Sequence, residues 1–446
     1  MPHIAIVTGL LTGRIHASFE LASRLQKEGH TITYLCQPSS QEKIEENGFT
    51  CVPVPAITFD YTYPKRSRME SSWFKKFIFH FKHLKHHYSH GEKILNLEGH
   101  KEKLRQVDPD LILVDTEIHD LIFTAWELKI PIKLMTTWFS DTISLKNPSI
   151  RTTIVPGVGF RGTNLGIFWS WLIMRLKIHG RVLINRLKFE HYRRWVITSY
   201  AKKIGFNSSE LLINTLPPLF SFKKLPTVTM AMSELEFPHV IPGNIIYVGA
   251  MVHENRIDNI EISADSNELD SIVKNVVELD KKLIYCSVGS LAKGHLPFIK
   301  NVIEAISEEE NWHLILSIGP KMDMRDFSNL PKNVSIFNWV PQLDVLKHTD
   351  CCITHCGINS INECIHHKVP MLLYSGKYTD ENGNAARMAY HGLGVRGDIN
   401  KDDSATIRAN LEQVLNGEVY KVNLNKFHSI YLHYKVRTMT PQLFDF

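Results

Sequence analysis

Long apolar runs are missing from this chain of 446 residues: the longest membrane-like stretch, Leu165 to Met174, has ten residues, about half of what a spanning helix needs. No segment is therefore expected to cross a membrane. The start, MPHIAIVTGLLTGR, has no basic leader and an apolar run shorter than a signal-peptide core, so it reads as a first buried strand. A strong charge excess is missing too. The 51 Lys and Arg stand against 46 Asp and Glu, a balance that does not call for nucleic acid, and no nucleic-acid partner is expected. Cysteine is sparse and odd in number, seven in all, and four (Cys351, Cys352, Cys356, Cys364) crowd one stretch beside histidine. That invites a zinc reading, but Cys351 and Cys352 are adjacent in a strand and would face opposite sides. Reduced, mostly buried thiols in a cytoplasmic protein, with no metal, are the expectation.

What is present is a globular composition, 43% hydrophobic and 22% charged, in a length that suits two or three domains at ~150 residues each. Ile4 to Thr8 reads as a strand, Gly9 to Gly13 as a glycine-bounded turn, and Ser18 to Glu28 as a helix with Phe19, Leu21, Ala22 and Leu25 on its apolar face. Gly29 stops it, and Thr31 to Leu35 is the next strand. Such a β-α-β unit implies parallel strands and a right-handed crossover, hence a doubly wound α/β sheet. Leu111 to Val114 and Ile132 to Met135 are further strands around a helix from Leu121, with His119 and Asp120 expected on the surface. Residues 64–107 and 166–195 mix aromatic with basic residues, the first with helical spacing. For 166–195 the plain reading is an amphipathic helix pair on a domain surface; the sharper one is a wall for a greasy acceptor, or a patch that rests on a membrane surface.

Prolines crowd residues 215–245, the approach to a linker, and Ile245 to Gly249 would open a second half built from strands near 283–287, 313–318 and 334–338. The expected division is a first domain over 1–225, a linker over 226–244, a second domain over 245–420 and a tail over 421–446 that returns to the first.

The most informative stretch runs from Asp350 to Gly394. A short apolar run, Cys351 to Thr354, turns at His355-Cys356-Gly357 into a segment with helical spacing, Ile358 to His366. Free backbone N–H groups and the positive helix end suit a phosphate there. Asn359, Ser360 and Glu363 can share one helix face. A carboxylate at that position suits a pair of sugar hydroxyls, so nucleotide plus sugar is the natural ligand. Trp339-Val340-Pro341-Gln342 follows a strand end, where an indole can stack on a base.

These residues resemble the donor-binding signature of UDP-dependent glycosyltransferases, roughly H-C/G-G-x-N-S/T-x-x-E, then G-V-P, then D-Q-x-x-N-A. The chain has His355, Cys356, Gly357, Asn359, Ser360 and Glu363, then Lys368-Val369-Pro370, then Asp380-Glu381 and Asn384-Ala385. It is similar to bacterial macrolide and zeaxanthin glucosyltransferases over roughly residues 3–35, 108–135 and 245–420. The resemblance implies α/β architecture with two facing Rossmann-like domains (GT-B) and a deep interdomain cleft. It places Trp339, Val340 and Gln342 at uracil, Glu363 at ribose, and Ser290, His355, Gly357, Asn359 and Ser360 at the phosphates. Asp380 and Glu381 would meet the sugar. The UDP-sugar is a co-substrate, with no further cofactor. It also implies an inverting transfer, with an acceptor hydroxyl entering from the first domain; a lipophilic small molecule is expected.

Two positions depart from the pattern. Glu381 stands where the family has an amide that both donates and accepts, which leaves the donor sugar open. Arg14 stands where the family has the histidine that takes the acceptor proton, and arginine is no base near neutrality. Either His16 has taken the role, or Asp115, matching the aspartate that orients the family's histidine, acts alone, or transfer is crippled; Arg14 could instead offset leaving-group charge. A nucleotide-sugar epimerase or hydrolase and a non-catalytic UDP-sugar binder are the rival readings.

Overall fold

A computed structural model describes residues 1–9, 12–54, 72–82, 92–93, 95–188, 192–213, 220–257, 266–287, 296–319, 322–327, 329–376, 380–440 and 443. Ser290 lies outside these residues. The first domain contributes strands β1 (His3–Val7), β2 (Thr31–Cys36), β3 (Thr50–Pro53), β4 (Leu111–Asp115) and β5 (Ile132–Thr136). A small antiparallel hairpin, β6 (Leu211–Leu212) and β7 (Ser221–Phe222), stands apart, and β8 (Thr227–Thr229) and β9 (Ile245–Tyr247) complete the main sheet. Its order is β3-β2-β1-β4-β5-β8-β9, and every pairing is parallel. The near-continuous apolar runs of β1 and β4 follow from that, because strands of a parallel sheet are covered on both faces. The covering helices are α1 (Thr12–Lys27), α2 (Pro38–Glu46), α3 (Trp73–Lys82), α4 (Leu97–Val107), α5 (His119–Glu127), α6 (Asn164–Leu187) and α7 (Tyr192–Lys203).

The second domain is a six-stranded parallel sheet made of β10 (Lys282–Ser287), β11 (Trp312–Ser317), β12 (Val334–Phe337), β13 (Cys351–Thr354), β14 (Met371–Leu373) and β15 (Gly394–Arg396). Its order is β12-β11-β10-β13-β14-β15. Its helices are α8 (Ser266–Glu278), α9 (Leu296–Ser307), α10 (Gln342–Leu346), α11 (Ile358–His367), α12 (Glu381–Tyr390), α13 (Ser404–Asn416) and α14 (Glu418–Lys435). In each sheet the strand order reverses beside the first strand of its domain, between β1 and β4 and between β10 and β13. Ligands of open α/β sheets collect at such switch points, so two of them define where to look.

Four expectations are corrected. Ile245–Tyr247 does not open the second half: it pairs in parallel with β8 as the edge of the first sheet, Thr227 facing Ile245. The first helix starts at Thr12 rather than Ser18, so Arg14 and His16 lie in its first turns and not in a loop. His119 and Asp120 are buried, because α5 turns its first residues inward and the His119 ring packs on Phe220 and Phe222. Cys36 and Cys51, on the paired strands β2 and β3, form a disulfide, whereas all thiols were expected reduced. The other five cysteines are free and buried; burial pushes the Cys351 and Cys356 thiols up, which keeps them protonated and inert.

The last residues return to the first domain. Glu28 accepts from the backbone N–H of Met439 at 2.6 Å and of Thr440 at 2.7 Å, and Met439 and Leu443 are buried in the core around Phe19 and Leu25. Among the described residues no helix is long and apolar enough to cross a membrane.

Candidate donor and acceptor sites

β13 runs into the turn His355-Cys356-Gly357, where Cys356 holds φ +69°, a left-handed conformation that side chains other than Gly adopt uncommonly. The turn is tight: a Cβ on Gly357 would lie 2.7 Å from His355 Nε2. His355 Nδ1 donates to the Ser287 carbonyl at the end of β10, 3.3 Å away. Burial lowers its pKa, so the ring is neutral at pH 7 with Nε2 unprotonated.

On α11, Ser360 and Glu363 meet through one partner, Gln342 of α10. Gln342 Nε2 donates to Glu363 Oε2 at 2.6 Å and to Ser360 Oγ at 3.2 Å, while Tyr285 Oη donates to Gln342 Oε1 at 3.3 Å. Val340 is buried and Trp339 half-buried just before. The second oxygen of Glu363 accepts from Arg256, a residue of the segment after β9 that sequence reading missed. Nothing in the sequence marks it. Asn359 turns the other way and donates across the cleft to the Gly13 carbonyl, so the two switch points touch.

Asp380 and Glu381 open α12. Asp380 Oδ2 accepts from Asn384 Nδ2 at 2.9 Å, and Asn384 also donates to the Cys356 carbonyl at 3.0 Å. Glu381 Oε2 accepts from the Gly376 N–H at 2.9 Å. An amide oxygen could make that bond equally well, so the Glu381 position is structurally tolerant of the exchange. The structure thus brings Gln342, Ser360 and Glu363 into direct contact, and joins His355, Gly357 and Asp380 to them through the turn and Asn384.

Across the cleft, Arg14 in the first turn of α1 reaches Asp115 at the end of β4. Its Nη1 donates to both Asp115 oxygens, at 2.8 and 2.7 Å, and lies 2.6 Å from Glu117 Oε2. The guanidinium also stacks on Trp138, 4.6 Å from the ring centroid. Burial alone would lower its pKa, but the Asp115 and Glu117 carboxylates outweigh that and raise it. His16 follows Arg14 by two residues, about 200° round the helix. It faces Phe19, with Arg256, Lys43 and His253 nearby, and burial, followed by the Arg256 and Lys43 charges, lowers its pKa well below the ordinary value. The candidates therefore divide: Arg14 and Asp115 form one cluster, and His16 stands apart. Glu117 was not anticipated, although it stands two residues after Asp115 at a strand end.

Beside this cluster opens a cavity of about 480 Å³ at the ends of β5, β8 and β9, lined by Thr116, Trp138, Phe139, Asp141, Phe222 and Ile245 among others. Asp141 Oδ1 accepts from Ser149 Oγ at 3.0 Å and from the Ile150 N–H at 3.2 Å, and burial pushes its carboxyl up to about 7. The Ile150 carbonyl in turn accepts from Gly383 of α12 at 2.7 Å. The cavity wall and the element that carries Asp380 and Glu381 are thus in contact.

Two Rossmann-like domains facing across a cleft, with a helix N-terminus and a carboxylate at the second switch point, define a GT-B protein. The comparisons agree. Residues 219–442 match the family model described as UDP-glucoronosyl and UDP-glucosyl transferase, half of the chain, and the chain belongs to that family. It is similar to the oleandomycin glycosyltransferase of Streptomyces antibioticus, 33% identical over 115 residues, which is 26% of this chain and 26% of that protein. The chain thus spans about a quarter of the length of that curated relative. Among solved structures, the kitacinnamycin glycotransferase superposes with TM-score 0.69 at 21% identity, covering 98% of this chain and 96% of that one. The glycosyltransferase VinC in complex with DTDP does so with TM-score 0.61 at 16% identity, covering 96% and 95%. At these identities the structures establish the shared fold.

Proposed function

We propose that this protein transfers a sugar, a hexose such as glucose, from a UDP-sugar to a hydroxyl of a lipophilic small molecule, with inversion at the anomeric carbon. The observation that carries it is the Gln342, Ser360 and Glu363 cluster beside Trp339 and the start of α11, at the switch point of the second sheet. A solved relative of the same fold carries a nucleoside diphosphate. In this reading Trp339 and Gln342 meet uracil, Glu363 the ribose diol, His355 and the α11 N-terminus the diphosphate, and Asp380 and Glu381 the sugar. The acceptor fills the cavity walled by Trp138, Phe139 and Ile245. Its hydroxyl oxygen attacks the anomeric carbon as the bond to UDP breaks, and its proton passes to one of the Asp115 and Glu117 carboxylates, whose two negative charges are only half offset by the single positive charge of Arg14. Arg14 then acts electrostatically, and holding both reactants across the cleft supplies orientation.

The Arg14 to Asp115 pair also favours a second reading, a protein that binds UDP-sugar and turns it over slowly or not at all. Incubation with several UDP-sugars and a hydrophobic acceptor panel, read by mass gain, separates the two: product supports transfer, and UDP-sugar binding without product supports the second. If transfer is crippled by the exchange, Arg14→His raises the rate by roughly 10²-fold, the lower end for a positioned general base. If the role had moved to His16, His16→Ala abolishes transfer; an unchanged rate leaves the carboxylates. Unchanged UDP affinity in both His355→Ala and Glu363→Ala would sink the donor-site assignment.

A further inference from the structure

We propose that the exposed face of α6, continued by α3, docks on an anionic lipid surface. In α6 large apolar side chains recur from Leu165 through Phe168, Trp169, Ile173 and Leu176 to Leu187, each between 47% and 63% exposed. At roughly 100° per residue these six fall within an arc of about 140°. Lys177 and Arg181 border one side of the arc, Arg175 and Arg186 the other, and the 24 residues of the helix include no Asp or Glu. The face away from solvent is made by Gly166, Ile167 and Trp171, which are buried. An apolar stripe bordered by cations on both sides suits the headgroup boundary of a bilayer, with the stripe among acyl chains and the cations at phosphates.

α3 extends the same surface. Trp73 donates its indole N–H to the Leu187 carbonyl at 2.7 Å, which ties the start of α3 to the end of α6, and Trp73, Phe74, Ile78 and Phe81 are all about half exposed or more. A patch of this extent on two helices marks an interaction site rather than scattered surface residues. A second copy of the chain is the poorer occupant. A two-fold interface would lay the same face on itself and bring cations against cations with no acid in α6 to answer them. A lipid phosphate supplies the missing negative charge. Arg175 both borders this face and lines the cavity, so a lipophilic acceptor would pass from bilayer to cavity along one side chain. That last step rests on the proposed transfer; the docking does not.

The test is flotation of the whole protein with phosphatidylcholine vesicles, with and without phosphatidylglycerol, and no UDP-sugar present. Binding is expected to the anionic vesicles, to weaken with salt, and to fall at least about tenfold in the triple variant Phe168→Glu, Trp169→Glu, Leu176→Glu. These side chains are exposed, so an unchanged melting midpoint is expected to show that the variant folds. The pair Lys177→Glu, Arg181→Glu tests the charged border separately and is expected to lose the preference for anionic lipid. No binding to anionic vesicles, or equal binding by both variants, overturns the proposal. So does a wild-type dimer in sedimentation that the triple variant turns into monomer, since the face then covers a second copy. Because no donor is used, a failure here leaves the transfer reading untouched, and a failure of transfer leaves the docking result standing.

Discussion

His355 makes the donor site sensitive to pH in a direction that its hydrogen bond fixes. A carbonyl can only accept, so the contact with Ser287 puts the proton of the neutral ring on Nδ1 and leaves Nε2 as an acceptor. A phosphate oxygen needs a donor, and Nε2 supplies one only when the ring is protonated. The pKa is lowered in the free protein, with burial the main cause, so at pH 7 binding of a diphosphate must bring a proton with it. The sign follows: UDP affinity rises as pH falls from 8 toward the lowered pKa, by up to roughly tenfold per pH unit. Calorimetry in two buffers of different ionisation heat measures the uptake. UDP itself titrates in this range, so the difference between wild type and His355→Ala isolates the residue; an identical pH dependence in the two would refute the contact. Glu363 poses a different problem, since Arg256 and Gln342 already hold both of its oxygens. Ribose hydroxyls must displace one of them. Arg256→Ala is expected to tighten UDP binding severalfold by removing the competitor, and a weaker affinity on titration would instead make Arg256 part of the site.

At the scale of elements, α11 depends on a glycine whose role is spatial. Gly357 has an ordinary extended backbone, φ −62°, so alanine is conformationally allowed there. Its Cβ would still meet His355 Nε2 at 2.7 Å, and the imidazole rather than the backbone must give way. Gly357→Ala is expected to leave the melting midpoint within a few degrees while weakening UDP binding about tenfold; a large loss of stability with normal UDP affinity in the folded fraction would count against this account. Elements like this were legible because a buried parallel strand writes itself as an apolar run, and the helix after it as spacing of three and four. The start of α1 was not legible, because Thr12 and Gly13 carry turn chemistry that tertiary contact overrides: the Gly13 carbonyl is held by Asn359 from the other domain. β9 was misplaced for a related reason. Four apolar residues before a glycine look alike at the edge of either sheet, and only pairing with β8 decides. Arg256 and the cavity have no local signature at all, since each is an encounter of segments far apart in sequence, whereas Glu117 was within reach of a local reading, two residues beyond Asp115 at a strand end.

For the whole molecule, one buried side chain ties the two domains together within an apolar cluster that both share, from Trp138 and Phe139 of the first to Ala385 and Met388 of the second. Arg387 of α12, in the second domain, is completely buried, and its guanidinium enters a pocket of the first. Its Nε and Nη2 lie 2.8 and 2.7 Å from Glu236 Oε2, Nη2 donates to Asn147 Oδ1 at 3.0 Å, and Phe139 and Phe237 stack on it at 4.9 and 4.7 Å. Glu236 is further held by the Ser140 N–H and the Tyr247 hydroxyl, so β9 and the loop after β5 are wired to the same charge. Breaking a buried pair by removing one partner leaves the other uncompensated, at a cost of roughly 3–5 kcal/mol, whereas removing both charges together costs far less. Arg387→Ala is therefore expected to lower unfolding stability by about that amount, and the double variant Arg387→Met, Glu236→Gln by clearly less than the two single changes combined. Because the pair spans the cleft, the loss should also separate the domains. Denaturant unfolding followed through the two cores is expected to pass from one transition in the wild type to two in Arg387→Ala, with proteolysis of the segment at 248–257 appearing first. A single transition at an unchanged midpoint would mean that the packed tail at Met439 and Leu443, and not this ion pair, sets how the two switch points face each other.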